Sequence, residues 1–432
     1  MNKNRTQRRK DAKAQRNKAL TEWLVLVCVS VLTAACYQVI NERPIEEIGT
    51  AAVEVGLDRV AAGHTDTFQD KRIGLIVHAA SVTADGRHAI DVFQGIDLNV
   101  VSLLTPEHGL RSRAAAGEHI ESGKDSISGL PVISLYGKHR KPTPEDLEDL
   151  DILVFDLQGA GVRFYTYVST LILSLEAAAE NGLEFVVLDR PNPLGGDRIE
   201  GPISRERDVV PSSFVNLAPG PLVHGLTLGE MARFVNQTME KPARLSVIEM
   251  KGWKRTMTWT DTGLTWVPPS PNLRSPEAAL AYPGTGLLEA TNVSEGRGTE
   301  RPFLILGAPW ISEIEPVPSV PGFDLEPIIF TPTASPAAPK PKSLDQECHG
   351  WTIRVTDQEM AQPYQLGVTL LATLSKLPEF EWRRDGDALT WLLGTPRLLE
   401  DLKAGKTVQQ ILDADLADHA EWRKERESAL LY

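Results

Sequence analysis

Short, nearly continuous apolar runs recur along the middle of the chain and alternate with stretches of helical periodicity. The runs occupy residues 72–78, 98–104, 130–135, 151–157, 183–189 and 245–250. Runs that are apolar at successive positions are typical of strands buried on both faces of a parallel sheet. Their alternation with helical patterns predicts an α/β fold with helices on both faces and right-handed crossovers.

Helix boundaries are marked by residues that stabilise helix ends. Thr143 and Pro144 predict an N-cap and a first helical residue, and Thr227 begins a Thr-x-x-Glu capping box. Residues 164–180 repeat apolar side chains on one face, and Gly182 follows as a stop signal. We therefore predict a long helix between the fourth and fifth strands.

The C-terminal third has a different pattern of apolar residues and prolines. Nine prolines fall between positions 309 and 341, which predicts an irregular connection with one edge strand at 328–331. Beyond it we predict a strand at 351–355, a helix at 365–377 and helical pieces at 396–413. These elements predict a second, smaller α/β domain.

The N-terminus suggests membrane attachment. Residues 1–22 contain eight Lys and Arg against two acidic side chains, and the eighteen residues 23–40 carry no charge. Eighteen residues are at the short limit for a membrane span, and cations before the span predict a cytoplasmic N-terminus with an exported body. Either Cys36 follows a lipoprotein cleavage site or the segment is an uncleaved signal anchor. We predict a location in the cell envelope.

The resulting division of the chain has six parts. They are a basic cytoplasmic tail at 1–22, a membrane anchor or signal segment at 23–40, a juxtamembrane linker at 41–66, a parallel-sheet domain at 67–305, a Pro-rich connection at 306–345 and a smaller α/β domain at 346–432.

Charge and motif content exclude several functions. The net charge of −13 argues against nucleic acid as a partner. Only Cys348 lies in the body, so no internal disulfide or cysteine metal site is possible there. No phosphate-binding GxxxxGK[ST] and no GxSxG occur, and the glycines at 159 and 161 lack the third glycine of a dinucleotide site. We predict that neither metal, nucleotide nor another cofactor is needed. Oligomeric state is not predicted.

The strongest candidate for chemistry follows the second apolar run. Pro106 ends the strand and Gly109 frees the backbone, so Glu107 and His108 are presented in a loop. Ligands bind at the carboxyl ends of strands in open α/β sheets. An acid beside a histidine at such a position is a candidate for proton transfer.

Polar residues also follow other strands or lie in later glycine-rich loops. These candidates for substrate binding are Asp156, Gln158, Arg163, Tyr165, Asp189, Arg190, Asn192, His224, Asn272, Glu295 and Arg297. Structural roles compete with binding: the two aspartates could pair with the arginines, Tyr165 could belong to the core, and Glu295 could form an exposed ion pair with Arg297.

Several long motifs resemble one family. They are TPEHGL, SGLPVISLYG, DILVFDLQGAGVRFYTYVSTL, VVLDRPNPLGG, GPLVHGLTLGE, PPSPNL and TNVSEGRGTERPF. In this order they resemble the exo-β-N-acetylmuramidase family of NamZ type, from about residue 71 to the closing LLY. The resemblance implies a Rossmann-like domain with a smaller α/β domain, an active site in the cleft between them, and release of N-acetylmuramic acid from non-reducing ends of peptidoglycan fragments.

The resemblance also implies roles for single residues. Glu107 falls on the family's proposed catalytic glutamate, with His108 beside it. Cleft-lining positions of the family fall on Arg163, Tyr165, Asp189, Arg190, Asn192, Glu295 and Arg297. Glu295 or the substrate's acetamido oxygen would be the second catalytic group, and Arg163 or Arg297 would bind the lactyl carboxylate of muramic acid.

The chain departs from the family pattern at two places. Gly159 replaces an aspartate after the glutamine, and the first strand ends in Val77-His78 rather than Thr-Asn. A non-catalytic muropeptide-binding or scaffolding protein of the periplasm is therefore the alternative function. A nucleotide-dependent enzyme is a further rival, against which the missing phosphate loops count.

Overall fold

The six apolar runs all form strands, and they lie side by side in one sheet. A computed structural model shows this for the chain; it describes residues 53–111, 114–118, 122–137, 139–204, 213–312 and 318–432. The strands are β1 Ile73–Val77, β2 Val100–Thr105, β3 Gly123–Lys124, β4 Pro131–Ser134, β5 Ile152–Asp156 and β6 Glu184–Leu188. A separate antiparallel ribbon follows with β7 Glu200–Ser204 and β8 Gly220–Val223, and β9 Arg244–Ile248 completes the sheet.

The strand order is β3-β4-β2-β1-β5-β6-β9. All neighbours are parallel except the short β3, which runs antiparallel to β4. The parallel sheet predicted from the apolar runs is confirmed. Because the five central strands point the same way, the residues that follow β1, β2, β5 and β6 lie along one edge.

Both faces of the sheet are covered, as the continuous apolar runs predicted. Leu75 and Val77 of β1 pack in one buried cluster with α-helical residues on their side, whereas Ile76 and Phe155 belong to the cluster on the other face. Successive side chains of a strand point to opposite faces, so a strand buried on both must be apolar throughout.

The helices in the sheet region are α1 Gly56–Ala61, α2 Ala89–Gly95, α3 Pro144–Leu147, α4 Thr166–Asn181, α5 Leu228–Thr238 and α6 Pro276–Thr285. The predicted caps are present: Thr143 and Thr227 each accept a hydrogen bond from the third helical residue. Gly182 ends α4 with φ of +69°, a backbone conformation that costs glycine little.

The C-terminal part contains a second sheet that the sequence only partly predicted. Its strands are β10 Ile305–Ala308, β11 Phe323–Phe330 and β12 Cys348–Val355, antiparallel in the order β10-β12-β11. The predicted edge strand at 328–331 is therefore part of a longer edge strand. Its Pro327 is tolerated because an edge strand has one side without a hydrogen-bonded neighbour.

Five helices complete this part: α7 Pro363–Leu374, α8 Asp387–Leu393, α9 Arg397–Lys403, α10 Val408–Asp413 and α11 Leu416–Glu425. The predicted turn at Ala404-Gly405 separates α9 from α10, with φ of +74° at Gly405. The smaller α/β unit expected after the parallel sheet is confirmed as a fold class, although α8 and α11 were not predicted.

The N-terminal predictions fall mainly outside the described residues, including the tail at 1–22, the segment at 23–40 and residues 41–52. From Val53 onward the chain packs against the sheet region. In the predicted linker, Leu57 and Val60 of α1 are fully buried, and the Gly56 amide donates to the carbonyl of Asp189. Among the residues that the structure describes, no helix is long and apolar enough to cross a membrane.

Candidate active site

Glu107 lies two residues beyond β2, with its side chain held by two other segments. One carboxylate oxygen accepts from the Gly117 amide (2.8 Å) and the other from the Thr166 hydroxyl (2.8 Å). The Tyr136 side chain lies beside this carboxylate, and burial together with the Glu107 charge raises the pKa of Tyr136. The Tyr167 hydroxyl lies between the carbonyls of Pro269 (2.8 Å) and Glu107 (3.2 Å). The residue is 8 % exposed. A nearly buried carboxylate is thus fixed in one orientation by neutral donors.

His108 continues this turn with φ of +73°, and Gly109 has φ of +74°. Its Nδ1 lies 2.9 Å from the Ala114 carbonyl, which can only accept, so Nδ1 carries the hydrogen and Nε2 does not. Burial lowers the pKa of His108 and outweighs the opposite effect of Glu107. The imidazole is therefore mainly neutral near pH 7.

Asp156, at the end of β5, and Arg190, after β6, form a buried ion pair. Nε and Nη2 of Arg190 donate to the two carboxylate oxygens at 2.6 and 2.8 Å. Nη1 donates to the Val82 carbonyl (2.9 Å). Their charges are used within the fold, so the structural interpretation of this pair is the one the geometry supports.

Asp189 is also surrounded by internal donors. Its oxygens accept from the Thr227 hydroxyl (2.7 Å), the Gly229 amide (2.9 Å), the Arg190 amide (3.0 Å) and the Tyr432 hydroxyl (2.9 Å). Burial raises the pKa of Asp189 to about 6, against the effect of these donors. Asp189 joins the sheet edge, the start of α5 and the C-terminal segment.

Arg163 does not reach the Glu107 region. Its side chain is fully buried, and its terminal nitrogens donate to the side chain of Asn216 and to the carbonyls of Pro202 and Leu393. Burial lowers the pKa of Arg163. A guanidinium committed to protein oxygens in this way holds segments together and is not presented to a ligand.

The two departures from the family pattern meet in space. Nε2 of His78 accepts from the Gln158 amide (2.9 Å), and burial lowers the pKa of His78 well below its ordinary value. The Gln158 side-chain amide donates to the carbonyls of Gly159 and Pro191, each at 2.9 Å. A Cβ atom at Gly159 would lie 3.3 Å from the Leu228 side chain, so Leu228 borders the space an aspartate would need.

Asn192 and His224 act on backbone groups. Asn192 donates to the Leu226 carbonyl (3.0 Å) and accepts from the Leu194 amide (2.9 Å). Nδ1 of His224 accepts from the Leu226 amide (3.1 Å), and burial lowers the pKa of His224 to about 3. Both shape the loop between β8 and α5.

Tyr165 and Asn272 are buried near the candidate site. Tyr165 packs 4.7 Å from the Tyr167 ring and 6.3 Å from the Tyr282 ring, and burial raises its pKa well above the ordinary value. Asn272 donates to the Ala337 carbonyl (2.9 Å). Tyr165 therefore belongs to an aromatic cluster, and Asn272 anchors the Pro-rich segment.

Glu295 and Arg297 do form an ion pair, but a buried one. Glu295 is 3 % exposed and faces Arg297 (3.1 Å) and Lys342 (2.9 Å). Burial alone would raise the pKa of Glu295, yet Lys342 and Arg297 outweigh it and hold the pKa at about 2. Arg297 also pairs with Glu289 (2.9 Å) and lies over the Phe303 ring (5.1 Å). The expectation of an exposed pair is wrong because Glu289, Lys342 and Phe303 surround it.

A cleft of about 1060 Å³ lies beside these groups. It is lined by residues 115–118, Thr291, Asn292, Glu295, Arg297, residues 337–343 and Arg383. Gly117 both lines the cleft and donates to Glu107. The Glu107 carboxylate is therefore hydrogen-bonded to the wall of the cleft, and the cleft is large enough for a substantial ligand.

The structure thus separates the predicted residues into two groups. Glu107, His108, Glu295, Arg297 and, through Ala337, Asn272 lie at or beside the cleft. The others have internal partners: Asp156, Gln158, Arg163, Tyr165, Asp189, Arg190, Asn192 and His224.

Sequence reasoning missed Tyr136, Thr166, Lys340, Lys342 and Arg383. Tyr136 follows β4, so the rule that led to Glu107 applies to it as well. The two lysines lie in a Pro-Lys-Pro-Lys stretch that carries no motif.

The described residues offer no clustered metal ligands. Within the described ranges, no group of three or more His, Cys, Asp or Glu side chains could hold a metal ion. The expectation that neither metal nor nucleotide is needed stays a prediction.

Comparison with known proteins adds to this geometry. Family profiles described as "Exo-beta-N-acetylmuramidase NamZ", N-terminal and C-terminal, match residues 73–277 and 280–432. The curated "Peptidoglycan beta-N-acetylmuramidase NamZ" of Bacillus subtilis (strain 168) is 40 % identical over 388 residues, covering 88 % of this chain and 91 % of that protein.

Two crystal structures of DUF1343 family proteins from Bacteroides fragilis NCTC 9343 have similar folds. One is 32 % identical with a TM-score of 0.78, the other 28 % identical with a TM-score of 0.72. Each match covers 88 % of this chain and 99 % of the other. The chain belongs to the NamZ family of exo-β-N-acetylmuramidases.

Proposed function

We propose that this protein is a glycoside hydrolase that releases N-acetylmuramic acid from non-reducing ends of peptidoglycan fragments. The observation that carries the proposal is the Glu107 carboxylate, oriented by Gly117 and Thr166 beside the cleft. The name of the Bacillus subtilis relative supports the substrate class.

Glu107 is the general acid of the proposed reaction. Hydrolysis of a glycosidic bond requires a proton for the departing oxygen while positive charge develops on the sugar. Protonated Glu107 gives that proton as the carbon–oxygen bond breaks. Water then adds its hydroxyl to the sugar carbon and returns its other proton to the Glu107 carboxylate. Donors on both carboxylate oxygens limit its rotation, so the carboxyl is already placed before the substrate arrives.

The second catalytic group is better assigned to the substrate's acetamido oxygen than to Glu295. Glu295 faces cations on both oxygens, Arg297 and Lys342. Such pairing withdraws charge from a carboxylate and keeps it from moving toward a sugar carbon. Glu295 instead fixes the orientation of Arg297.

Arg297 is the better candidate for the lactyl carboxylate of muramic acid. It lines the cleft, whereas Arg163 donates to carbonyls and an amide inside the fold. Its terminal nitrogens face Glu295 and Glu289, but each carries two hydrogens, so one N–H of each remains as a donor for a carboxylate in the cleft.

We also propose that the body is exported and held at the membrane by residues 23–40. The proposal rests on the cationic tail and the uncharged run. When a reporter enzyme is fused to the C-terminus, we expect its activity outside the cytoplasm. Reporter activity confined to the cytoplasm would contradict export. Loss of acylation in Cys36→Ser would indicate a lipoprotein, and an unchanged protein a simple span.

The enzymatic proposal is tested with a chromogenic muramoyl glycoside. Wild-type protein should release the chromophore with or without chelator, because no metal or nucleotide takes part. Binding without release would favour the scaffolding alternative. Activity abolished by chelator and restored by added metal would show that the metal-free reaction is wrong.

A further inference from the structure

Two cations in the cleft are not neutralised by the protein. Of the cleft-lining cations, Arg297 and Lys342 are paired with Glu295. Lys340 is exposed, and among the described residues its ammonium has neither a hydrogen bond nor an ion pair. Arg383 donates one hydrogen bond to the Glu289 carbonyl (2.7 Å). The cleft lining carries four cations against two carboxylates, Glu118 and Glu295, so in a chain of net charge −13 it has an excess of two positive charges and is a place for an anion.

Lys340 is presented by a stiff segment. It lies between Pro339 and Pro341, and proline restricts both its own backbone and that of the residue before it. On one side, Asn272 holds the Ala337 carbonyl (2.9 Å). On the other, Lys342 donates to two backbone carbonyls, at 2.7 and 2.9 Å. The segment is thus anchored at both ends with a free ammonium between the anchors.

The backbone next to Arg383 is also anchored, in this case by Asn292. The Asn292 amide donates to the Glu381 carbonyl (3.0 Å), and the Asn292 side chain accepts from the Glu381 amide (3.1 Å) and donates to the Glu379 carbonyl (2.8 Å). Asn292 itself lines the cleft. The backbone that carries Arg383 is therefore fixed to the loop that carries Glu295 and Arg297.

The cleft begins at Gly117, which binds the proposed acid, and extends to these two cations. An enzyme that removes one terminal sugar must leave space on the far side of the acid for the rest of the glycan. The volume of about 1060 Å³ is at the upper end of the range for small-molecule sites. It therefore fits a glycan that continues beyond the departing sugar.

We propose that Lys340 and Arg383 bind a carboxylate of the glycan beyond the cleaved bond, namely the lactyl carboxylate of the next muramoyl residue. The inference rests on the proposed function, since it concerns the same substrate and the same cleft. It makes the enzyme selective for peptide-free chains with at least two muramoyl residues over a single muramoyl glycoside.

The experiment compares two substrates with the full-length protein. One is a chromogenic muramoyl glycoside with a single lactyl carboxylate; the other is a muramoyl-ended tetrasaccharide with two. The measured quantity is the ratio of kcat/KM for the tetrasaccharide to kcat/KM for the glycoside. We expect Lys340→Ala to lower this ratio about fivefold, mainly through KM, and Lys340→Glu to lower it further. Lys403→Ala, at an exposed lysine outside the cleft, should keep the wild-type ratio.

A modified substrate isolates the carboxylate. When the second lactyl carboxylate is converted to its methyl ester, the wild-type ratio should fall to that of Lys340→Ala, and Lys340→Ala should show no further loss. Arg383→Ala should follow the same pattern, with thermal unfolding checking that its lost backbone hydrogen bond has not disturbed the fold.

Three outcomes would overturn these conclusions, each in a different way. Unchanged kcat/KM on both substrates in Lys340→Glu would show that no carboxylate is bound there. Equal losses on both substrates would place the terminal lactyl carboxylate at these cations instead. Wild-type protein inactive on both substrates would overturn the proposed function itself.

Discussion

The edge of the parallel sheet carries acidic groups in two different settings. At the ends of β5 and β6, Asp156 lies against a guanidinium and Asp189 receives four donors. After β2, Glu107 receives hydrogen bonds from an amide and a hydroxyl. Among the described residues it forms no ion pair with Lys or Arg. Asp156 is neutralised by a guanidinium and Asp189 is enclosed by internal donors, whereas Glu107 shares one of its donors, Gly117, with the cleft.

This difference separates structural from catalytic residues better than position alone. All of these acids follow strands at one edge, so the topological rule that selects them treats them alike. Their surroundings distinguish them: Asp156 faces a cation, Asp189 binds the C-terminal segment through Tyr432, and of the three only Glu107 has a donor that also lines the cleft. The following predictions test the distinction.

The largest effect is expected for Glu107→Gln. Glutamine keeps the size and the acceptor oxygen but cannot protonate a leaving group, so kcat should fall roughly 10² to 10⁴-fold while the protein folds normally. Turnover of a natural disaccharide measures this, and Glu180→Gln at an exposed position is the control. The loss should shrink on a nitrophenyl glycoside, whose leaving group needs less protonation. Nearly full activity in folded Glu107→Gln would remove Glu107 from the mechanism.

Asp156→Ala should instead affect stability. It leaves Arg190 buried without its carboxylate, which typically costs about 3–5 kcal/mol of unfolding free energy. Urea denaturation measures the loss. Glu54→Ala, which removes an exposed ion pair with Lys251, should cost less than about 1 kcal/mol. Similar losses in both variants would show that burial adds nothing to the contribution of the Asp156–Arg190 pair.

Asp189 should give a pH-dependent stability. Its pKa is about 6 in the folded protein against an ordinary 3.8, so the folded state binds more protons between these values. The unfolding free energy from this group should therefore fall by about 3 kcal/mol as pH rises from about 4 to about 6. The unfolding free energy is measured across that pH range. Its fall with pH should be absent in Asp189→Asn and present in the exposed-site control Asp91→Asn. Parallel curves for wild type and Asp189→Asn would show that the shift is absent.

His108→Asn should have the smallest effect on turnover, about tenfold, because His108 orients the turn and carries no proton to the substrate. Asparagine tolerates the left-handed backbone at this position, so the backbone conformation is kept. Steady-state kinetics measure the change. A loss as large as that in Glu107→Gln would give His108 a direct role in proton transfer.

The sequence predicted the part of the fold that repeats a simple pattern. The strands of the parallel sheet were found because they are apolar throughout, and α4 because its stop signal is a glycine in the left-handed conformation. β10 was missed because four residues, Ile305–Ala308, are too few to establish a period. α11 was missed because its exposed surface carries many charges and few of its side chains are buried.

For the site, the sequence could rank residue types but not their partners. Arg163 and Arg297 are both arginines in loops, yet one is committed to carbonyls and the other lines the cleft. The partners that decide between them lie far away in the sequence: Leu393 accepts from Arg163, and Lys342 pairs with Glu295 beside Arg297. Lys340 carried no signal at all, because its importance lies in the absence of a neutralising acid.

The contact between Asp189 and Tyr432 has a consequence for the order in which the chain is made and folds. The two residues are 243 positions apart, and the Leu431 amide and Arg426 bind the same region through Glu230 and the Gly196 carbonyl. During synthesis, β6 leaves the ribosome long before the segment that completes its edge. A nascent chain stopped near residue 280 would therefore hold a buried carboxylate with one donor missing, and the sheet reaches its final stability only after residues 426–432 have been added.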